Sequence, residues 1–142
     1  MRLRLIATVV VLMSAPSLNA QATPARTLEQ LKAAGRQYAE WVIGAQADSL
    51  AAHAVSPEMV PDIHKDAASM AVEIAARAGT EVELIEERMV KRNKADQYWR
   101  IAKYSLLGEP LVIRIVVSPD GKYAGIGVGP LSQVPPVDPP AP

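Results

Sequence analysis

The chain has 142 residues, room for one domain once an export leader is set aside. Hydrophobic residues make up 49%, enough for a single core, but Phe is absent, so Trp41, Trp99 and four tyrosines carry all the aromatic area. The formal net charge is zero, and without Arg2 and Arg4 the balance is 13 basic against 15 acidic residues, which offers no electrostatic footing for nucleic acid or an anionic membrane. With no cysteine, disulfides, thiolate nucleophiles, lipid-anchor thiols and cysteine metal sites are all excluded.

Residues 1–22 read as a secretory signal peptide. Met1-Arg2-Leu3-Arg4 is a basic start, Leu5 to Met13 an apolar stretch, and Ser14-Ala15-Pro16-Ser17 a break before small residues suited to cleavage after Ala20 or Ala22. Nine residues fall far short of the roughly 20 that a spanning helix needs, so the segment is expected to be cleaved and to anchor nothing. Lacking a lipobox thiol, the mature protein is expected in the periplasm or outside the cell.

Thr27-Leu28-Glu29-Gln30 fits a capping box, so a helix is predicted from residue 28 to about 46, with Leu31, Ala34, Tyr38, Trp41, Val42 and Ala45 as its core stripe. Asp48 to Ala54 suits a short helical turn. Ser56-Pro57-Glu58 then opens a second long helix whose apolar face runs through Ile63, Ala67, Met70, Ile74 and Ala78, with Gly79 placed for a left-handed cap.

Beyond Gly79 the pattern becomes β-like, predicting four strands over 80–90, 97–106, 111–117 and 122–128. Short separators such as Ser118-Pro119-Asp120-Gly121 imply an antiparallel meander, hence an α+β fold of N-terminal helices on a four-stranded sheet. Leu111, Ile113, Ile115 and Val117 form the face expected under the helices, with Val112, Arg114 and Val116 on the other. Gly125, Gly127 and Gly129 are expected to share a face with Tyr123 and to mark curvature or close backbone approach. The domain thus runs over 27–129, with a proline-rich extended tail over 130–142.

This order of parts resembles the cystatin-like and nuclear-transport-factor-like α+β cone folds. The likeness is carried by Gln97-Tyr98-Trp99-Arg100-Ile101-Ala102-Lys103-Tyr104, by Leu111-Val112-Ile113-Arg114-Ile115-Val116-Val117, and by Asp120-Gly121-Lys122-Tyr123-Ala124-Gly125. It is closest to small secreted bacterial domains of unknown function in that superfamily. The resemblance implies helices packed on a curved meander; it does not imply one activity, because such folds serve isomerases, dehydratases, transport factors and accessory domains alike.

No nucleophile elbow, phosphate loop or dinucleotide fingerprint is present, and no pattern asks for a cofactor. His64 and Asp66, two apart on a helix, point to different sides and do not make a metal site with Asp62 and His53. The candidate ligand or partner residues are Tyr38, Trp41, Tyr98, Arg100, Tyr104 and Arg114. If the strands pair in register, Arg100 and Arg114 are expected to share a face with Tyr98 and Tyr104 as a cationic and aromatic patch, or to meet Glu83 and Glu86 across the sheet. The acidic and basic run from Glu81 to Lys94 reads as an edge strand protected by charge.

Two functions are consistent with these residues. One is an exported non-enzymatic binding or accessory domain, for which Val112 and Val116 on the outer face offer a dimerisation surface; a tail masking that face would count against dimerisation. The other is a small-ligand carrier or cone-pocket enzyme using Tyr38 and Trp41, which requires a deep cavity between the first helix and the sheet.

Overall fold

Thr27 opens α1 (Leu28–Ile43) as the capping box requires: its Oγ1 accepts from the Gln30 N–H at 3.2 Å, and the Gln30 side chain accepts from the Thr27 N–H at 3.0 Å. The computed structural model describes residues 23–142; the proposed leader and its cleavage point lie outside the described residues. After α1 come the short α2 (Ala47–Ala52), a 3-10 turn at Pro57–Met59 and α3 (Val60–Ala78). Pro61 sits in the first turn of α3, where its missing N–H breaks no helical bond. No helix among the described residues is long and apolar enough to cross a membrane.

Gly79 ends α3 at φ 81° and ψ −138°, a positive φ but not the expected left-handed helical cap. A β-carbon there would lie 2.1 Å from the Ser105 hydroxyl, so the position excludes side chains on two counts.

The strands are β1 (Glu81–Arg92), β2 (Ala95–Tyr104), β3 (Leu111–Val117) and β4 (Tyr123–Pro130), in the order β1-β2-β3-β4 with every neighbour antiparallel. The fold is therefore α+β. The β1–β2 hairpin turns on two residues, Asn93 and Lys94, both with positive φ (52° and 63°), so the strands run further into this segment than the predicted separator allowed. β1 is an edge strand, and register shifts between Glu81 and Glu83 and between Leu84 and Glu86 break its exposed, partly apolar outer half.

The core lies between α1, α3 and the helix-facing side of β2–β4: Leu31, Tyr38, Ala39 and Val42 meet Tyr98, Ala102, Ile113, Ile115 and Val117. Gly35 lets α1 approach closely, since a β-carbon on it would come within 2.2 Å of Tyr98 Cβ. The expected face of β3 is thus the one the helices cover.

The other side of the sheet carries a second cluster of Trp99, Ile101 and Val112, and Val134 from the chain end packs on it with Val90. Leu131 N–H donates to Pro110 O at 2.9 Å, Ser132 donates through its N–H and Oγ to the Glu109 carboxylate (3.1 and 2.9 Å), and Asp138 N–H donates to Lys91 O at 2.8 Å. The Asp138 carboxylate accepts from the Asn93 and Lys94 N–H groups (3.1 and 2.9 Å), the two donors that the tight turn leaves unpaired. The proline-rich end is therefore a strap across the outer face, attached at both ends.

Candidate functional site

Three of the sequence candidates meet on the helix side of β1–β2. Register places Arg100 opposite Glu87, with Tyr98 and Tyr104 on the same face. Arg100 donates from Nε and one terminal nitrogen to both oxygens of Glu81 (2.9 and 2.8 Å), and its other terminal nitrogen stands 3.7 Å from Glu87. Arg36, projecting from α1, grips Glu87 in the same two-pronged way at 2.6 and 3.0 Å, and the Tyr98 hydroxyl donates to that carboxylate as well. Tyr104 completes the set with a long 3.5 Å bond to Glu81.

The electrostatics follow from these contacts. The Arg36 hydrogen bond, aided by Tyr98 and Arg100, holds the Glu87 carboxyl down to about 2 despite its burial. Burial first, and then Glu87, push the Tyr98 hydroxyl well above the ordinary tyrosine range; burial pushes Tyr104 up to about 12. The Glu81 contact stabilises the charged form of Arg100. Each charge here has a partner, and neither tyrosine is poised to exchange a proton near neutrality, so the cluster binds α1 to the edge of the sheet. Glu81 and Glu87 of β1 belong to this network and are not merely a solvated charged edge; Arg36 and the two glutamates go unpaired in the sequence because Arg36 lies dozens of residues from both.

Tyr38 and Trp41 also come together, one turn apart on α1, with ring centroids 5.7 Å apart. Trp41 tilts over His53 at 5.0 Å, and Tyr38 meets Tyr123 edge-on at 5.8 Å. Tyr38 is buried and its hydroxyl donates to Gly121 O at 2.6 Å, while Arg26 donates to Asp120 O at 3.0 Å from the rim. These residues clamp the β3–β4 turn, where Gly121 takes φ 86°, and a shallow depression of about 370 Å³ is left outside them. Between α1 and the sheet the facing side chains are buried: Ala39, Tyr98 and Ile115 are each 0% exposed.

Arg114 does not join Arg100. It pairs across the ladder with Trp99 on one side and Gly127 on the other, which places it on the outer face with Trp99 and away from Tyr98 and Tyr104. The shared-face expectation is thus corrected by register: Arg100 lies opposite Ile113, so the adjacent Arg114 points the other way. The expected partners are corrected too, since Glu83 pairs with Lys103 at 2.6 Å and Glu86 with Arg88 at 3.7 Å. A similar correction applies to Tyr123. A register shift between Val116 and Val117 turns it into the helix-side core, whereas Gly125, Gly127 and Gly129 oppose Val116, Arg114 and Val112 on the outer face.

An open, mostly apolar space runs between α3 and β4. One groove of about 510 Å³ is lined by Met70, Ile74, Leu107, Leu111, Ile126 and Val128, with Glu73, Arg77 and Gln133 also at its walls. A smaller one of about 210 Å³ shares Met70 and Ile126 with it and continues past Ile63 and Ala67 to Tyr123. The even spacing of Met70, Ile74 and Ala78 announced the apolar face of α3, but not that β4 would leave it partly uncovered. His64 lies at the opposite end of this helix, with Nδ1 3.6 Å from Asp48 on α2.

Comparison of the chain with protein-family models, with curated proteins and with solved structures gives no match.

Proposed function

We propose that this protein is an exported, non-enzymatic binding domain, related in architecture to the α+β cone folds its sequence resembles, that holds an apolar molecule in the groove between α3 and β4. The groove carries the reading. Its volume falls within the roughly 300–1,000 Å³ typical of small-molecule sites, and its walls are mostly apolar with few polar groups, the composition that gains most from burying a ligand. The burial of Ala39, Tyr98 and Ile115 beneath α1 counts against a deep pocket there of the kind a cone-type isomerase or dehydratase would use. The chain end lying on Trp99, Ile101 and Val112 covers part of the Val112 and Val116 patch that a second copy was expected to cover, leaving Val116 partly open.

Methyl-labelled protein titrated with octanol tests the reading. The methyl signals of Met70, Ile74, Ile126 and Val128 are expected to shift saturably while those of Ile113 and Ile115 stay still. Unchanged groove methyls, or equal shifts throughout the core, would remove the groove as a binding site.

A further inference from the structure

The outer face holds a charge that the fold leaves unanswered. Along one row of the sheet stand Arg88, Trp99, Arg114 and Gly127. Arg88 lies over the Trp99 ring at 5.2 Å and also meets Glu86, but Arg114 has nothing comparable: its Nε is buried without a hydrogen-bond partner. None of the ion pairs among the described residues reaches Arg114 or Arg92. Burial and the neighbouring positive charge of Arg92 both weaken the hold of Arg114 on its proton, the sign of a guanidinium desolvated beside a like charge.

The guanidinium is also held flat. A β-carbon on Gly127 would lie 2.5 Å from one terminal nitrogen of Arg114, 2.8 Å from Cζ and 3.1 Å from Nε, so the guanidinium lies over Gly127 and only glycine leaves room for it. Gly125 and Gly129 extend the bare strip on either side, and Arg114 and Val116 stay partly open to solvent where the strap, packed on Trp99, Ile101 and Val112, does not cover them.

The geometry points to a second binding site here, for an apolar molecule bearing a carboxylate: Arg114 receives the carboxylate with Arg92 nearby, and the partly open Val116 with the bare backbone of Gly125 opposite it takes the flat apolar body. A planar two-oxygen acceptor matches the guanidinium fork, and the partly open Val116 provides apolar area but no further donors for the more heavily hydrated phosphate. Arg114 and Val116 face the side of the sheet opposite the α3–β4 groove, although the backbone of Gly127 and Gly129 also lines that groove, so it is the Arg114 and Arg92 variants that tell the two sites apart.

The test is a titration of nitrogen-15-labelled protein with benzoate at constant ionic strength, read at the Trp99 indole N–H and the 125–129 amides, with benzyl alcohol and inorganic phosphate as controls. Saturable shifts with benzoate are expected, at least about tenfold weaker in Arg114→Gln. Gly127→Ala, which displaces only the flexible end of Arg114, and Arg92→Gln are expected to weaken binding several-fold, and they keep the test decisive should Arg114→Gln fail to fold. No saturable shift, shifts undiminished in these variants, an equal response to benzyl alcohol, or tighter binding of phosphate would each overturn the assignment.

Discussion

Arg100 and Arg114 sit on adjacent strands of one sheet and differ in almost everything that decides what a buried charge does. Arg100 faces the helices, where Glu81 takes both prongs of its fork and Glu87 stands behind. Arg114 faces outward, over a glycine, with an unpartnered Nε and the like charge of Arg92 acting on it. A half-buried charge is tolerable when its hydrogen bonds are answered and strained when they are not, so the same residue type serves structure on one face and is left ready for a ligand on the other.

The helix-facing region should be the more sensitive. Gly35→Val places a branched side chain where even a β-carbon meets Tyr98 at 2.2 Å, and it is expected to destabilise the fold by about 3 kcal/mol or more, measured by urea unfolding. A loss below about 1 kcal/mol would show that α1 packs less tightly than described. On the outer face, ending the chain at Pro130 uncovers Trp99, Ile101 and Val112 and is expected to cost about 2 kcal/mol, with Trp99 emission moving to the red. Unchanged emission would mean the strap does not rest there.

Acid sharpens the same contrast. The Glu87 carboxyl is lowered from 4.5 to about 2 in the folded state by Arg36, with help from Tyr98 and Arg100. Its stabilisation is therefore complete above about pH 4.5 and is lost as pH falls toward 2. Stability curves of the native protein and Glu87→Gln are expected to converge over that interval and to stay parallel above it; parallel curves down to pH 2 would contradict the network. The smallest expected effect is Asp138→Ala, about 1 kcal/mol, through the two N–H bonds that pin the strap to the hairpin. Faster hydrogen exchange confined to Asn93 and Lys94 would accompany it.

Much of the fold was legible because its signals are local. The capping box at Thr27, the helical spacing of Leu31, Tyr38 and Val42, and the alternation of Leu111 to Val117 each depend on neighbours within a turn or a pleat. Tyr38 with Trp41, and Tyr98 with Arg100 and Tyr104, came together for the same reason. What escaped depends on partners far along the chain or on a single displaced residue. The face of Arg114 follows from β2–β3 register, the face of Tyr123 from one register shift, and the two-residue turn at Asn93-Lys94 lacks the glycine that marks most such turns. The strap was least visible: proline-rich composition reads as unanchored, and the residues that attach it, Leu131, Ser132, Val134 and Asp138, are isolated among the prolines.

The most direct measurement is urea unfolding of Arg100→Gln beside Arg114→Gln under identical conditions. The two-faced account predicts a loss of about 3 kcal/mol for Arg100→Gln, which strands Glu81, and a change within about 1 kcal/mol for Arg114→Gln, where an unanswered charge is removed. Equal losses at the two positions would contradict it, because Arg114 would then be as much a part of the fold as Arg100.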